Sequence, residues 1–333
     1  MRQSVNPSEA DLTAACADLR ALQAALQRAI VGQEELIGQL ITACFAGGHV
    51  LLEGLPGMGK THLIKGLAAS LGVILSRVQC TPDLMPADIT GSELPVQQEQ
   101  GARLLGFRRG PIFASMVLMD EINRATPKTQ AAMLEAMQEG QVTHAGVSHP
   151  LPEPFWVFAT QNPIEIEGTY PLPEAQLDRF MFKLDVRYPS QSALLAMLEV
   201  SLDEEPAERL PLLLTPQRVS EIMQLARSIT VAAALKKAAV ELILATQPAA
   251  RQVPQAAVHF RYGPSPRGLQ SLLRAARVKA LMAGRPQLSA EDIRSVALPA
   301  LRHRVLLTLG SELEGVRCDD LLQQVIDWWS AQQ

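Results

Sequence analysis

The chain has 333 residues, of which 47% are hydrophobic and 19% charged, the composition of an ordinary globular protein with room for two domains. The net charge of −4 disfavours a surface built mainly to bind nucleic acid. No apolar segment reaches the roughly 18 residues of a membrane span, and the first 16 residues lack the apolar core of a secretory signal. The four cysteines show no paired spacing that would indicate a zinc cluster or a disulfide framework. We therefore expect a cytoplasmic protein without membrane insertion.

Strand and helix signals alternate through the first half of the chain. Residues 49–53 are a short apolar run that ends at a glycine-rich loop, and residues 60–71 follow as a helix closed by Gly72. A later helix is predicted to begin after Thr126 as its N-cap and to end before Gly140. Strands separated by helices are typical of a parallel sheet, so we predict a doubly wound α/β fold. Its further strands are predicted at residues 73–79, 115–120, 155–160 and 180–186.

Two β-hairpin insertions interrupt this alternation. They are predicted at residues 93–112 and 141–154, where short β-prone stretches flank a turn. The turn pairs are Gln100-Gly101 in the first segment and Ala145-Gly146 in the second. Both insertions therefore extend from the predicted α/β unit.

From about residue 191 the pattern is helical throughout. An N-cap followed by proline predicts helix starts at Thr215 and Ser265, and a capping box predicts another at residues 289–292. We therefore divide the chain into an α/β core, residues 1–190, and a smaller all-α domain, residues 191–333.

Residues 54–61, Gly-Leu-Pro-Gly-Met-Gly-Lys-Thr, fit the pattern of a phosphate-binding loop. Glycines let successive backbone N–H groups point at phosphates, and the following helix adds its positive end. Lys60 would reach the β- and γ-phosphates, and the Thr61 hydroxyl would ligate Mg²⁺. A chance glycine-rich turn is the competing interpretation, but the loop lies between a predicted strand and a predicted helix, as the motif requires. The predicted nucleotide-binding residues are Gly54, Pro56, Gly57, Met58, Gly59, Lys60, Thr61 and His62.

Asp120 and Glu121 follow a wholly apolar predicted strand, at the edge where open α/β sheets bind ligands. We predict that Asp120 holds Mg²⁺ and that Glu121 polarises the attacking water. For the pair alone, an acidic strand end facing solvent is the alternative. Asn162 ends the next strand, where it could hydrogen-bond the γ-phosphate and the water or simply form an Asn-Pro turn. No Asn-Lys-x-Asp guanine-reading motif occurs, so ATP is favoured over GTP.

These motifs together resemble the MoxR family of AAA+ ATPases. The resemblance extends over residues 31–305 and implies a P-loop AAA+ core with hairpin insertions, followed by a smaller helical lid. The segments that carry it, besides the phosphate loop, are QCTPDLMPADITG at residues 79–91, DEINRA at 120–125, ATQNP at 159–163, LPEAQLDRF at 172–180, SPR at 265–267 and LRHRV at 301–305.

The family's functional residues fall on matching positions of this chain. The resemblance implies that Asn162 is the sensor 1 residue, that Arg179 is an arginine finger acting on the neighbouring subunit, and that Arg267 is the sensor 2 residue. It also implies that Val31 and Gly32 line the adenine pocket. The implied catalytic set is therefore Glu121, Asn162, Arg179 and Arg267.

Both arginines have simpler interpretations. Arg179 could form a salt bridge with Asp178 or Glu174, and Arg267 could be a solvated surface residue. Arg267 falls in the first turn of its predicted helix, where a cation opposes the helix macrodipole at a cost of roughly 0.3–1 kcal/mol. An anion bound there would explain this placement.

The resemblance implies a homo-oligomeric ring, usually a hexamer, that hydrolyses ATP with Mg²⁺ to remodel or mature a protein client. It also implies a von Willebrand factor A-domain protein as partner. Three alternatives remain at this stage: a chelatase-type motor subunit, a nucleic-acid motor, and a nucleotide-gated scaffold with slow turnover. The acidic charge balance counts against the nucleic-acid motor.

Overall fold

The computed structural model describes residues 8–97, 103–164, 168–199 and 210–333. Two short 3₁₀ helices, Pro111–Phe113 and Ile122–Arg124, flank the strand Met116–Asp120. The strands are Val50–Glu53 (β1), Leu75–Gln79 (β2), Gly91–Gln97 (β3), Arg103–Arg109 (β4), Met116–Asp120 (β5), Gln141–His144 (β6), Val147–Pro150 (β7), Trp156–Gln161 (β8), Phe182–Asp185 (β9), Phe260–Tyr262 (β10) and Leu306–Leu307 (β11). The α-helices are Glu9–Ala29 (α1), Glu34–Phe45 (α2), Lys60–Ser70 (α3), Pro86–Thr90 (α4), Pro127–Glu139 (α5), Glu174–Leu177 (α6), Gln191–Glu199 (α7), Pro216–Ser228 (α8), Ala233–Ala245 (α9), Pro254–Ala257 (α10), Pro266–Met282 (α11), Ala290–Leu301 (α12), Leu309–Leu313 (α13) and Cys318–Ser330 (α14).

Five parallel strands form the central sheet in the order β2-β5-β8-β1-β9, which confirms the predicted doubly wound α/β core. Successive residues of a strand point to opposite faces. In β5, Met116 and Leu118 join the hydrophobic cluster that contains α2 and α3, whereas Val117 and Met119 join the cluster that contains α5. Because helices cover both faces, the strand is apolar throughout.

The helices of the core begin and end where the local signals predict. Thr126 caps α5 by accepting a hydrogen bond from the Thr129 amide, and Gly140 ends the helix with a φ of 63°. The helix after the phosphate loop runs over Lys60–Ser70, and Gly72 follows it with a φ of 61°. Glycine suits such left-handed positions because it has no Cβ.

Both hairpin insertions are present as antiparallel pairs, β3 with β4 and β6 with β7. The Gln100-Gly101 pair lies outside the described residues. The hairpins pack on each other through Phe107, whose ring stacks on His144 at 5.0 Å and on His149 at 4.3 Å between centroids. The two insertions are therefore in direct contact with each other.

The chain beyond residue 210 is mainly helical, as predicted. Thr215 and Ser265 cap α8 and α11, and Ser289 forms the predicted capping box with Asp292 at the start of α12. The structure adds a short antiparallel ribbon, β10 with β11, that the sequence patterns did not indicate. Trp329 of α14 is buried and donates a hydrogen bond to the Ala238 carbonyl.

The N-terminal helix α1 belongs to the first half of the chain but packs on helices of the second half. Asp18 forms an ion pair with Arg218 of α8 at 2.8 Å, and the Cys16 thiol donates to the Met282 carbonyl at the end of α11. One hydrophobic cluster runs from Leu12 to Trp329 across both halves. The division at residues 190–191 therefore stays a prediction. Among the described helices, none is long and apolar enough to cross a membrane.

Candidate nucleotide site

The phosphate loop connects β1 to α3. Gly57 and Gly59 have φ values of 79° and 75°, and, apart from adjoining residues, no described atom lies within 4 Å of the position that a Cβ would occupy on either. This open space beside the backbone fits a phosphate, and Gly59 is also the N-cap of α3. Gly54 is needed for a different reason, because a Cβ there would lie 2.8 Å from the Val186 carbonyl oxygen. The half-buried Met58 anchors the loop to the hydrophobic core.

Lys60 and the two residues after it form the first turn of α3. The Lys60 ammonium donates to the Gly54 carbonyl at 2.5 Å and to the Leu55 carbonyl at 3.0 Å. Burial lowers the pKa of Lys60, while the charges of Asp120 and Glu121 oppose that shift. The ammonium therefore lies within electrostatic reach of the acidic pair. Thr61 and His62 are half-buried at the start of this helix.

The side chain of Asp120 is held on both sides. Its Oδ1 accepts a 2.6 Å hydrogen bond from the Thr160 hydroxyl, and its Oδ2 forms a 2.6 Å ion pair with Arg77. Parallel pairing of β5 with β8 sets Met119 beside Ala159, so the next residues, Asp120 and Thr160, are neighbours. The Asp120 carboxylate is thus fixed before any cation binds.

Glu121 has the left-handed backbone conformation, with φ 56° and ψ 53°. Its amide donates to the Thr160 hydroxyl at 2.8 Å, so one hydroxyl bridges both acidic residues. Its Oε2 accepts hydrogen bonds of 3.0 Å from Gln79 and from Arg124. The sequence-based prediction missed Gln79, although this residue ends β2, which pairs with β5.

Asn162 lies one residue beyond β8 and is 6% exposed. Its side-chain oxygen accepts a 3.2 Å hydrogen bond from the Ile164 amide. This bond is the local turn that the Asn-Pro sequence predicted. The turn and the position beside the acidic strand end are compatible with each other, so the sensor role stays a prediction.

Arg179 folds back onto the core. Its Nη1 donates to the Leu134 carbonyl of α5, and its Nε is buried without a partner among the described residues. Neither Asp178 nor Glu174 forms the salt bridge with Arg179 that was the simpler alternative for this residue. The buried, unpaired Nε marks a side chain whose donors are incompletely used in this conformation.

Asp178 instead joins the core to the helical half. Its Oδ1 accepts from Arg304 at 2.7 Å, and its Oδ2 accepts from the Ser265 hydroxyl at 2.9 Å and lies 3.7 Å from Arg267. Arg267 is 44% exposed, so it is a solvated residue that also faces a carboxylate, and its sensor role stays a prediction. The Arg304 side chain is only 1% exposed and also donates to the Phe180 carbonyl. Sequence reasoning considered Asp178 only as a possible partner of Arg179.

Val31 and Gly32 lie in the turn between α1 and α2. Gly32 has a φ of 77°, and a Cβ there would lie 2.4 Å from the Ala193 Cβ of α7. Gly32 and Tyr188 border a cavity of about 230 Å³. This close approach of the α1–α2 turn to α7 explains the glycine, and the adenine-binding role stays a prediction.

The residues predicted to hold Mg²⁺, Thr61 and Asp120, offer a hydroxyl and a carboxylate, the hard oxygen ligands that this ion prefers. Among the described residues there is no group of three or more His, Cys, Asp or Glu side chains that would hold a metal alone. Mg²⁺ usually binds through one or two protein oxygens together with substrate phosphates. The residues present fit that arrangement.

Comparisons with known proteins identify the family of this chain. Residues 49–182 match the model of the ATPase family associated with various cellular activities (AAA), and residues 255–325 match an AAA lid domain. Chaperone MoxR1 of Mycobacterium tuberculosis is 37% identical over 90% of this chain and 79% of its own length. The chain belongs to the MoxR family of AAA+ ATPases.

Other relatives cover the chain equally well. This chain is 39% identical to the uncharacterized protein YeaC of Bacillus subtilis, over 90% of this chain and 91% of that protein. A crystal structure from Cytophaga hutchinsonii, described as that of an ATPase, matches with a TM-score of 0.87 and 35% identity over 95% of both chains. The AAA+ core and the helical lid are thereby confirmed, and membership of the family implies nucleotide binding, with ATP hydrolysis as the general kind of reaction.

Proposed function

We propose that this MoxR-family chain hydrolyses Mg²⁺-ATP in a homo-oligomeric ring, a cytoplasmic hexamer, and uses the energy to remodel or mature a protein client. The observation that carries the proposal is the bridge at Thr160. One buried hydroxyl holds both Asp120 and Glu121 at the sheet edge, within electrostatic reach of Lys60 and the open phosphate loop. This arrangement suits phosphoryl transfer to water better than nucleotide binding alone.

Each side chain has a defined task in this reaction. Lys60 leaves the Gly54 and Leu55 carbonyls and contacts the β- and γ-phosphates of ATP, while the N-terminus of α3 stabilises their charge. Glu121 accepts the proton of the attacking water once it releases Gln79 and Arg124. Thr61 and Asp120 would hold Mg²⁺, which would neutralise part of the negative charge of the phosphates.

Two arginines complete the proposed site. Arg267 leaves Asp178 to contact the γ-phosphate of its own subunit, and Arg179 leaves the Leu134 carbonyl to contact ATP in the neighbouring subunit. Asn162 orients the attacking water. An arginine at the transferring phosphate is worth about 10³–10⁵ in rate.

The client side of the proposal rests on family names. A relative that is 37% identical is named a chaperone, which supports a remodelling role here. We propose a von Willebrand factor A-domain protein as the partner that delivers the client, and no nucleic acid as substrate. The net charge of −4 supports the last point.

The test is the ATPase activity of single variants and of their mixtures. We expect Lys60→Ala to lose nucleotide binding, and Glu121→Gln to bind ATP but turn over at least about 10²-fold more slowly. Arg179→Ala should be similarly slow. If Arg179 acts across a subunit interface, mixing Glu121→Gln with Arg179→Ala restores activity, because about a quarter of the interfaces then combine an intact Glu121 with an intact Arg179.

Each variant alone, at the same total concentration, is the control for the mixture. Wild-type rates in all three variants would overturn the assignment of the site. Slow variants without recovery in the mixture would restrict Arg179 to its own subunit. Capture of client proteins on the Glu121→Gln variant in the presence of ATP tests the remodelling role separately.

A further inference from the structure

Three arginines converge on one cavity where the helical half meets the core. Arg227 is in the last turn of α8, and Arg274 and Arg277 are three residues apart on α11. The cavity has a volume of about 450 Å³, and the C-terminal end of α2, from Phe45 to Gly47, closes its other side. We call these three residues the arginine cluster.

Within the described part of the chain, no carboxylate pairs with the arginine cluster. Among the described residues, none of the three forms an ion pair or a guanidinium hydrogen bond, and no acidic side chain lines the cavity. The Nε of Arg277 is buried and has no hydrogen-bond partner in the described part of the chain. Burial and the charge of Arg274 both lower the pKa of Arg277. Glu153 borders the adjoining cavity beside Arg227, but the two do not form an ion pair.

Helix ends supply only part of the missing negative charge. The C-terminal ends of α2 and α8 border the cavity, and each carries roughly half a negative charge. Three guanidinium groups carry three positive charges, so about two have no protein counter-charge among the described residues. Arginines are often placed at helix C-termini for stability alone, but that role accounts for about one of these charges.

The cluster lies away from the phosphate loop. Gly47 precedes β1 and the phosphate loop follows β1. The two sites therefore lie at opposite ends of this strand, which is about 13 Å long. No residue of the phosphate loop lines this cavity. A ligand in this cavity would therefore be distinct from the nucleotide bound at the phosphate loop.

We infer that the arginine cluster binds a small anion that carries a pyrophosphate group, as free pyrophosphate or as part of a nucleotide. Guanidinium groups pair with phosphate oxygens through two parallel hydrogen bonds, and three of them match a ligand of two or more negative charges. A volume of about 450 Å³ falls within the usual range of small-molecule sites. The anion would join α8 and α11 to the end of α2, and α11 also carries Arg267.

The test is calorimetric titration of the full chain carrying Lys60→Ala, which removes competition from the phosphate loop. Sodium pyrophosphate should bind at one site per chain at low salt. Adding Arg274→Ala and Arg277→Ala together, or Arg227→Ala alone, should weaken binding at least tenfold. Arg251→Ala is the matched control, because Arg251 is an exposed arginine of the helical half without an ion pair among the described residues, and it should leave binding unchanged.

The ligand series identifies the source of the pyrophosphate group. Tighter binding of ADP than of pyrophosphate indicates a nucleotide site, and equal binding indicates a site for free pyrophosphate. Absence of binding at millimolar pyrophosphate, or binding that the cluster variants leave intact, overturns the inference. So does a change in oligomer mass in the cluster variants, measured by light scattering, without weaker pyrophosphate binding, since the arginines would then serve a subunit contact. Because Arg227 and Arg274 are exposed, their single variants keep the test valid if the Arg277 variant fails to fold.

Discussion

Thr160 is the residue on which the acidic pair depends. It is 1% exposed, donates to Asp120 and accepts from the backbone of Glu121. The left-handed backbone of Glu121 costs about 1 kcal/mol or more, so this residue needs an external tether to keep its place. The Thr160 hydroxyl supplies that tether.

Thr160→Val keeps the shape of the side chain and removes both hydrogen bonds. We expect the free energy of unfolding to fall by about 1–3 kcal/mol, because a buried amide and a carboxylate lose a partner. ATP turnover should fall while nucleotide binding is retained, since Lys60 and the phosphate loop are untouched. Urea unfolding and a steady-state ATPase assay measure the two effects.

Thr160→Ser is the control for this prediction, because it keeps the hydroxyl and loses only a methyl group. It should stay close to wild type in both assays. Equal damage by the serine and valine variants would show that packing, and not the hydroxyl, determines the effect.

His49 is a second residue on which the fold depends, because its protonation state affects the free energy of unfolding. Its Nδ1 accepts from the Val157 amide at 3.0 Å, so Nδ1 carries no proton, and its Nε2 donates to the Met137 carbonyl at 3.3 Å. Burial lowers the pKa of His49 from 6.5 to about 4. The unfolded chain therefore binds more protons than the folded chain between these two pH values, and stability decreases as pH falls through this window.

We expect His49 to contribute a loss of about 2 kcal/mol in the free energy of unfolding between pH 7 and pH 5. His49→Asn keeps an acceptor near the Val157 amide but does not titrate. The variant should be less stable than wild type at pH 7 and should lose about 2 kcal/mol less on acidification. Urea unfolding at both pH values provides the comparison, and equal losses in the two proteins would contradict the assignment.

At the scale of elements, the helices and strands that local sequence signals define could be predicted from the sequence. The strand that ends at Asp120 is an uninterrupted apolar run, and α5 has an N-cap at Thr126 and a glycine at its end. Each signal depends on residues within one turn or one strand. The capping box at Ser289 is of the same kind.

Elements that depend on distant partners were not predictable. β10 and β11 have three and two residues, and each is a strand only because the other pairs with it across α11 and α12. The same limit applies to the site. Gln79 becomes a neighbour of Glu121 only once β2 is known to lie beside β5, and strand order is not encoded in local patterns.

At the scale of the whole molecule, the core and the helical half are joined at Asp178. The Arg304 guanidinium that binds it comes from 126 residues further along the chain. Burial lowers the pKa of Arg304, and the Asp178 carboxylate opposes this shift. Because Asp178 also faces Arg267 and precedes Arg179, one carboxylate links the proposed site of its own subunit with the residue proposed to act on the next.

Asp178→Asn should therefore destabilise the protein by about 3 kcal/mol, because it leaves the buried Arg304 charge without its counterion. Urea unfolding measures the loss. Asp320→Asn is the matched control: it removes the same charge from an ion pair with Arg317 in which both side chains are more than half exposed, and it should change stability little. If Asp178→Asn and Asp320→Asn had the same free energy of unfolding, the Asp178–Arg304 pair would not hold the two halves together. If Asp178→Asn alone is destabilised and its ATPase activity also falls, the pair couples the helical half to the nucleotide site.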